Sequence, residues 1–499
     1  MTDTTTDIES PETQSPRRTW RTLWRIHFYS GIFALPFMLL MAVTGLIILY
    51  TQPIQETLES GLRTVAVPAN VAPVTLGEQA LAVEAAYPDA SIGDVTLPAE
   101  PDQSTRFFVN DGSDAGIHVF VDPYNAEVLG ANTPGGDIVG LSNRLHGHLN
   151  NDSLTVPLPS AAALFDDGAV MRDYVVGDLV LEILGVWTLV LVFSGLYIWW
   201  PRRSGAAARR PAFIRKNVTG RARWRDLHGA AGVVLLPLMA LTIVSGLAWS
   251  TYWAAQFSAI AEKVTPGKYI DQPASTLGKR GDLDRFGNQI PWNTGDFPIP
   301  RSYAPEATDG TAPTPLTLDA VATIAREEGM KPGFTIALPS NASDEAGNPV
   351  YGSFALYNSW PRKTGEARDV FLDQFSGDTL AEQHVYGVGA TARGMDYLVS
   401  THMGTQLGIA SRIFMTMLCV LAIFSAVSAT AMYRKRRRPG TTGLPRRPAD
   451  PHLGKALFVI FAATGIVFPH WFVVAVVILA FDRFVIQRIS KLRRTFGQR

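Results

Sequence analysis

The stretch from Arg25 to Pro36, "RIHFYSGIFALP", opens the first long apolar run of the chain and places His27 where a membrane helix would begin. A second stretch, "DLHGAAGVVLLP" from Asp226 to Pro237, repeats this pattern with His228. Ionisable side chains inside membrane helices are costly and usually functional. Two histidines at the same depth of two helices therefore need an explanation.

Four apolar runs are long enough to cross a bilayer, which takes about 20 helical residues. They lie at 26–50, 179–200, 230–252 and 407–433. A further apolar region, 453–486, is interrupted by "PHW" at Pro469–Trp471, so it is expected to form two short spans or a re-entrant hairpin. The first run shows no clear cleavage site, and we expect it to be a retained anchor.

Basic residues cluster before the first span, in the loops 201–227 and 434–452, and in "QRISKLRR" near the C-terminus. The positive-inside rule places all of these segments, with both termini, in the cytoplasm. Residues 1–25 are expected to be a disordered cytoplasmic tail. The chain carries 44 basic and 44 acidic residues, and their separation by region is typical of membrane topology, not of a nucleic-acid binder.

The two large polar segments, 53–178 and 254–405, then face outward. Each combines a helical stretch with a later strand pair: "TLGEQALAVEAAYP" (Thr75–Pro88) precedes "IHVFVDPYNAEVLG", and "LTLDAVATIAREEG" (Leu316–Gly329) precedes "RDVFLDQFSGDTLAE". Both strand pairs have an Asp-led turn, which is typical of a hairpin. We therefore predict two extracytoplasmic α+β domains.

The two halves of the chain match closely, which indicates an internal parallel duplication. Gly31 and Gly232 both lie four residues after the histidine, and proline follows at the ninth position in both halves. The motifs "TGL" at Thr44 and "SGL" at Ser245 also match, and their glycines are interpreted as helix-packing residues. "SGLYIWWPRR" at Ser194 corresponds to "SATAMYRKRR" at Ser428. The prediction is a four-helix transmembrane core followed by a C-terminal helical hairpin.

Each half also has a histidine before its returning span. It is His146 or His148 in "RLHGHLNND", and His402 in "STHMGTQLG". His146 is preferred because it follows an apolar residue, as His228 does, and His148 remains the alternative. Packing of the halves about a pseudo-twofold axis would pair His27 with His228 near the inner face, and His146 with His402 near the outer face.

Facing imidazoles at membrane depth suit a b-type haem held by two axial histidines without covalent attachment. The single cysteine, Cys419, excludes a C-x-x-C-H haem attachment and disulfides within the chain. Gly31 and Gly232 share a helix face with their histidines, so a flat macrocycle could lie close to the helix there. Two alternatives stay open: histidines satisfied by interfacial water, and zinc or copper ligation, although no carboxylate or thiolate stands at ligand spacing.

These motifs resemble the PepSY-associated transmembrane-helix family, bacterial iron-regulated inner-membrane proteins that include ferric-siderophore reductases. The resemblance covers about residues 20–440. It rests on the four histidine motifs quoted above and on "SGLYIWWPRR". It implies two PepSY-like outward domains, a location in the bacterial cytoplasmic membrane, and two b-haems. The implied ligands of the haem irons are His27, His228, His146 and His402.

The resulting functional expectation is a di-haem transmembrane electron-transfer protein, a ferric-chelate (siderophore) oxidoreductase in iron acquisition. No catalytic acid, base or nucleophile is assigned, and no Walker, metalloprotease or G-x-S-x-G motif is present. The partners would be a ferric siderophore or other chelate outside and a cytoplasmic or quinol electron donor. Two alternatives remain: a PepSY-containing regulator of secreted proteases or sensor, and a siderophore or metal transporter.

Overall fold

A computed structural model describes residues 11–151, 153–160, 170–200, 214–247, 250–264, 276–279, 298–303, 314–358, 363–437, 443–445 and 455–496. The predicted basic loops 201–227 and 434–452 lie partly outside these ranges. The first described helix begins at Pro11, so helix replaces the predicted disorder over part of the tail. Trp20, Trp24 and Phe28 stack at helical spacing there, with ring centroids 6.4 Å and 6.0 Å apart, which favours this extension.

The described α-helices are, in chain order, α1 (Pro11–Leu49), α2 (Thr51–Leu58), α3 (Ser60–Arg63), α4 (Leu76–Ala86), α5 (Ile138–His148), α6 (Val176–Trp199), α7 (Gly220–Gly246), α8 (Thr251–Val264), α9 (Leu318–Glu327), α10 (Ala390–His402), α11 (Ile409–Arg436), α12 (Lys455–Val467), α13 (Pro469–Phe481) and α14 (Ser490–Phe496).

Five helical segments among the described residues are long and apolar enough to cross a membrane: Thr19–Leu49, Val176–Trp199, Gly220–Gly246, Ile409–Arg436 and Pro469–Ile486. The prediction of a polytopic helical membrane protein is therefore confirmed. The first four segments are α1, α6, α7 and α11. Helices α1, α7 and α11 share a buried core of Ala42, Leu235, Met239, Leu418, Cys419 and Ala422, and Val192 of α6 packs against it.

The strands above these helices are β1 (Ser91–Thr96), β2 (Thr105–Asn110), β3 (Ile117–Val121), β4 (Val128–Asn132), β5 (Thr155–Pro159), β6 (Met171–Val175), β7 (Thr276–Lys279), β8 (Pro298–Pro300), β9 (Phe334–Ala337), β10 (Ala342–Ser343), β11 (Pro349–Val350), β12 (Ser353–Asn358), β13 (Arg368–Asp373) and β14 (Thr379–His384).

One antiparallel sheet of eight strands contains strands from both polar segments, in the order β14-β13-β12-β9-β1-β2-β3-β4. The two segments join where β1 pairs with β9, with Val95 opposite Ile336. Helices α4 and α9 cover one face through an apolar core that includes Val83, Phe107 and Val321. The sequence predicted two separate outward domains, whereas their strands form one continuous sheet.

A carboxylate of the second polar segment caps a helix of the first. The Oδ1 atom of Asp319 accepts from the backbone N–H of Leu76 at 2.7 Å, and Oδ2 accepts from that of Gly77 at 3.1 Å. A side chain at Gly77 would approach Asp319, since an added Cβ would lie 3.3 Å from Oδ2. An anionic cap at the N-terminus of α4 thus ties the two segments together.

The C-terminal region forms a hairpin of α12 and α13, which continues through a π-helical turn at Asp482–Ile486 into α14. Its turn is buried: Phe468, Trp471 and Ala475 pack against Val186 of α6 and Leu247. Only Pro469–Ile486 meets the length of a span, because α12 is a shorter apolar helix. The hairpin therefore packs against the helical core through its turn, "PHW" at Pro469–Trp471.

We predict that Asp319→Ala weakens the joint between the two parts of the sheet. Loss of two charge-assisted hydrogen bonds to a helix N-terminus should cost about 2 kcal/mol. Amide hydrogen exchange of β1 and β9 in the full-length protein should then accelerate roughly thirtyfold. Asp111→Ala is the matched control, because that carboxylate bonds only to Ser113 in its own turn. Equal exchange in both variants would contradict the role of Asp319.

Candidate functional site

Four of the sequence-predicted histidines meet as two pairs at opposite ends of the helical core. His27 of α1 faces His228 of α7, with ring centroids 6.5 Å apart and ring planes at 79°. We call these two residues the distal pair, because they lie at the end of α1 away from the sheet. His146 of α5 faces His402 of α10, with centroids 6.3 Å apart and planes at 75°. These two form the sheet-side pair.

Each imidazole of the distal pair is held by a hydroxyl on a returning helix. His27 Nδ1 lies 3.2 Å from Ser194 Oγ and 2.9 Å from the Leu191 carbonyl oxygen. His228 Nδ1 lies 2.9 Å from Ser428 Oγ. Ser194 and Ser428 are the matched serines of the second and fourth spans. Helices α6 and α11 therefore orient the rings that α1 and α7 carry.

The sheet-side pair reverses this arrangement, because its hydroxyls lie on α1 and α7. His146 Nδ1 lies 2.8 Å from Thr44 Oγ1. His402 Nδ1 lies 3.0 Å from Ser245 Oγ and 3.0 Å from the Thr242 carbonyl oxygen. Thr44 and Ser245 are the matched residues of the "TGL" and "SGL" motifs.

The direction of these hydrogen bonds fixes the histidine tautomer. Ser194, Ser245 and Ser428 each donate to a carbonyl three residues earlier in their own helix, and Thr44 donates to Leu40. A hydroxyl has one proton to donate, so it must accept from the imidazole. Nδ1 therefore carries the proton in all four rings, and each Nε2 keeps its lone pair for a ligand.

Burial favours the neutral form of both sheet-side histidines. Burial lowers the pKa of His146 to about 4, and the neighbouring His402 ring adds to the effect. Burial also lowers the pKa of His402, against a backbone hydrogen bond to Thr242 that raises it. Neutral imidazole is the form that binds a metal.

The glycines near the pairs have two different roles. An added Cβ at Gly232 would meet no atom within 4 Å, and one at Gly31 would meet only Leu191 at 3.5 Å. The +4 glycines thus leave space beside the distal pair. Gly45 and Gly246 contact the sheet-side rings instead, where an added Cβ would lie 3.3 Å and 3.1 Å from the Cε1 atoms of His146 and His402.

His148, the alternative to His146, points elsewhere. Its Nδ1 lies 2.5 Å from Asp178 Oδ1 at the start of α6. Asp178 is 4% exposed, so this is a buried ion pair or hydrogen bond that fastens α5 to α6. The structure brings His146 to His402 and leaves His148 outside the pair.

The remaining described histidines lie outside both pairs. His118 lies in β3, where burial, with Arg106 and Arg63 nearby, lowers its pKa to about 2. His384 ends β14 and accepts from the Tyr386 backbone N–H. His470 is buried against Glu182. His452 lies outside the described residues.

Within the described ranges, no group of three or more His, Cys, Asp or Glu side chains could hold a metal ion. The four histidines discussed above thus occur two by two. Zinc sites in proteins use three or four protein ligands, so this arrangement does not favour zinc in the described part of the chain.

A family model for the PepSY-associated TM region matches residues 24–436. The chain belongs to this family. The match begins just before His27 and ends at the last residue of α11, so it includes all four paired histidines of this PepSY-associated protein and excludes the C-terminal hairpin. A search of curated proteins found no match.

We predict that Thr44→Val frees the tautomer of His146 while Thr44→Ser preserves it. Valine has the shape of threonine without the hydroxyl, and loss of a hydrogen bond worth about 1 kcal/mol should shift the tautomer ratio roughly fivefold toward Nε2–H. Nitrogen NMR of histidine-labelled, ligand-free protein reads this ratio directly. A His146 signal that is identical in Thr44→Val and wild type would show that Thr44 does not fix the ring.

Proposed function

We propose that this protein carries electrons across the cytoplasmic membrane of a bacterium and reduces a ferric chelate outside, with a siderophore as the expected chelate. One observation carries the proposal: two pairs of imidazoles lie at opposite ends of the helical core, with ring centroids 6.5 Å and 6.3 Å apart. The resemblance to membrane reductases of the PepSY-associated family supports the same reading.

The spacing of the pairs fits b-type haem. Imidazole nitrogen binds a transition metal at about 2.0 Å, so two imidazoles on opposite sides of one metal have ring centroids roughly 6 Å apart. The observed separations are 6.5 Å and 6.3 Å. The open space beside Gly232 and the Nδ1 hydrogen bonds of all four rings complete the fit.

When bound to two histidines, haem supplies one-electron transfer between iron(III) and iron(II) without an open position for oxygen. His27 and His228 would hold the distal haem, and His146 and His402 the sheet-side haem. The hydroxyls of Thr44, Ser194, Ser245 and Ser428 orient the rings and keep Nε2 unprotonated. Gly45 lies 18 residues after His27 in α1, which is about 27 Å along a helix, so the two sites span the hydrocarbon core.

The distribution of basic residues indicates which end of the helical core faces the cytoplasm. This orientation gives the proposed direction of electron transfer. Arg25 lies beside the distal pair, and Arg434, Lys435 and Arg436 end α11 on the same side. The positive-inside rule places this side, and both termini, in the cytoplasm, and the eight-stranded sheet outside. A cytoplasmic or quinol donor would deliver electrons, and a ferric chelate at the sheet side would accept them. Reduction weakens chelation because hard oxygen ligands prefer iron(III) to the softer iron(II).

We predict that purified protein reduced by dithionite is rapidly reoxidised by a ferric hydroxamate chelate, and that His402→Ala slows this step at least tenfold. His402 would be one of the two residues that hold the sheet-side haem, so its removal should disable the site nearest the acceptor. Stopped-flow absorbance of the haem bands measures the rate, and His384→Ala at an exposed strand end is the control. Haem bands that no ferric chelate oxidises would contradict the reductase and favour a transporter, while absence of haem would favour a regulator or sensor.

We predict that Gly232→Leu lowers the haem content by about one haem per chain without unfolding the protein. Leucine is a better helix former than glycine by roughly 0.8 kcal/mol, and its Cβ meets no protein atom within 4 Å. The side chain would instead occupy the space proposed for the macrocycle. Pyridine haemochrome assay and size-exclusion chromatography measure both properties. The control is Gly394→Leu on α10, because an added Cβ there also meets no atom within 4 Å. Gly220 is unsuitable, because its positive φ would strain a leucine. Full haem content in Gly232→Leu would place the macrocycle elsewhere.

A further inference from the structure

A buried acid–base pair lies where the C-terminal hairpin meets the helical core. Glu182 of α6 is 1% exposed, and its Oε2 lies 3.1 Å from Nε2 of His470, at the start of α13. His470 falls outside the family match and outside the duplicated pattern, so neither accounts for the pair.

The pair is only partly satisfied. Glu182 Oε1 accepts from the backbone N–H groups of Tyr252 and Trp253, both at 3.0 Å, and so caps α8. Its Oε2 and both ring nitrogens of His470 make no hydrogen bond of good geometry within the described part of the chain. Buried polar groups in this condition are costly, and ionisable groups within membrane proteins often belong to proton or ion pathways.

Two connections link α6, the helix of Glu182, to the elements that hold the sheet-side pair. Asp178 lies one helical turn from Glu182 on α6 and bonds to His148, which is in the same helix as His146. On the other side, Gly185 of α6 packs against Ile243 of α7, within the segment whose Thr242 and Ser245 hold His402. The helix of Glu182 therefore contacts both α5, which carries His146, and α7, whose Thr242 and Ser245 bond to His402.

The other titratable groups around the pair are few in the described structure. Asp178 is bound to His148, the Tyr252 ring lies 4.9 Å from the His470 ring, and Tyr174 lies 4.9 Å from Tyr252. Arginine and lysine side chains are not among the neighbours that the described contacts give to Glu182 or His470. A change of charge nearby is screened less at this buried site than it would be at the protein surface.

We propose that Glu182 and His470 form a proton-accepting site that takes up one proton when iron held by the sheet-side pair is reduced. This inference rests on the proposed function. A one-electron reductant converts iron(III) to iron(II), which adds one negative charge near the site. A proton from the outer aqueous phase then bonds to Glu182 Oε2 or to His470, and it returns to that phase when the electron passes to the ferric chelate. Charge and protons balance over the cycle.

The test is redox potentiometry of the full-length protein at several pH values around neutrality, followed by haem absorbance. The His228→Ala background isolates the sheet-side site. We expect its midpoint potential to fall as pH rises, with a slope approaching about 59 mV per pH unit, the value for one proton per electron. Glu182→Gln should flatten the slope, and glutamine keeps the oxygen that caps α8. His470→Gln is the second variant, and it should flatten the slope as well.

Trp471→Phe is the matched control, because it removes an unpartnered indole N–H next to His470 and leaves both titratable groups. Its slope should equal that of the parent. A potential that is independent of pH in the parent, or a slope that survives in both Glu182→Gln and His470→Gln, would overturn the proton site and leave the pair as a structural clamp of the hairpin. Absence of haem bands would instead overturn the proposed function and this inference together.

Discussion

Every histidine buried in the membrane-embedded part of a protein has to satisfy two ring nitrogens away from water. Here one hydroxyl per ring accepts from Nδ1, and the hydroxyl itself is fixed because its proton bonds to its own helix. The hydroxyl thus satisfies Nδ1, and Nε2 is left without a role in these hydrogen bonds. The constraint involves all four core helices, because each ring and its hydroxyl stand on different elements. A shift of one helix along another would break a hydrogen bond at one pair or both.

The eight-stranded sheet lies outside the helical core and helps to position the sheet-side pair. Its two edge strands, β4 and β14, are the last strands before α5 and α10, which carry His146 and His402. Pairing of β1 with β9 in the centre of the sheet sets the distance between these edges. The sheet can therefore position α5 and α10 relative to each other. Because it is assembled from both polar segments, their pairing affects the distance between His146 and His402.

Much of this arrangement could be predicted from the sequence because it repeats. The spacing of His27 and His228 to glycine and proline predicted a shared depth, and the apolar runs predicted the spans. The hydroxyl partners of Nδ1 could also have been identified from the sequence. Thr44 and Ser245 stand at matched positions, and so do Ser194 and Ser428. Their role was missed because a hydroxyl in a membrane helix usually bonds to its own backbone, and the sequence does not show that it also accepts.

Other features depend on contacts between segments far apart in the chain. The pairing of Val95 with Ile336 and the cap from Asp319 to α4 have no local signal. Neither does the contact of His470 with Glu182, because each residue stands alone in an apolar run. Gly45 and Gly246 were expected to be helix-packing residues. Gly45 lies against Cys419 of α11 and also against the His146 ring, whereas Gly246 lies against the His402 ring. Local patterns identify such residues, and only the tertiary structure identifies what they meet.

The central claim is that two histidine pairs each hold one haem. The most direct test is the haem-to-protein ratio of the purified chain, together with the paramagnetic resonance spectrum of its oxidised form. The account predicts two haems per chain, both low-spin with two histidine ligands. A ratio near zero, or high-spin iron with an open position, would contradict it.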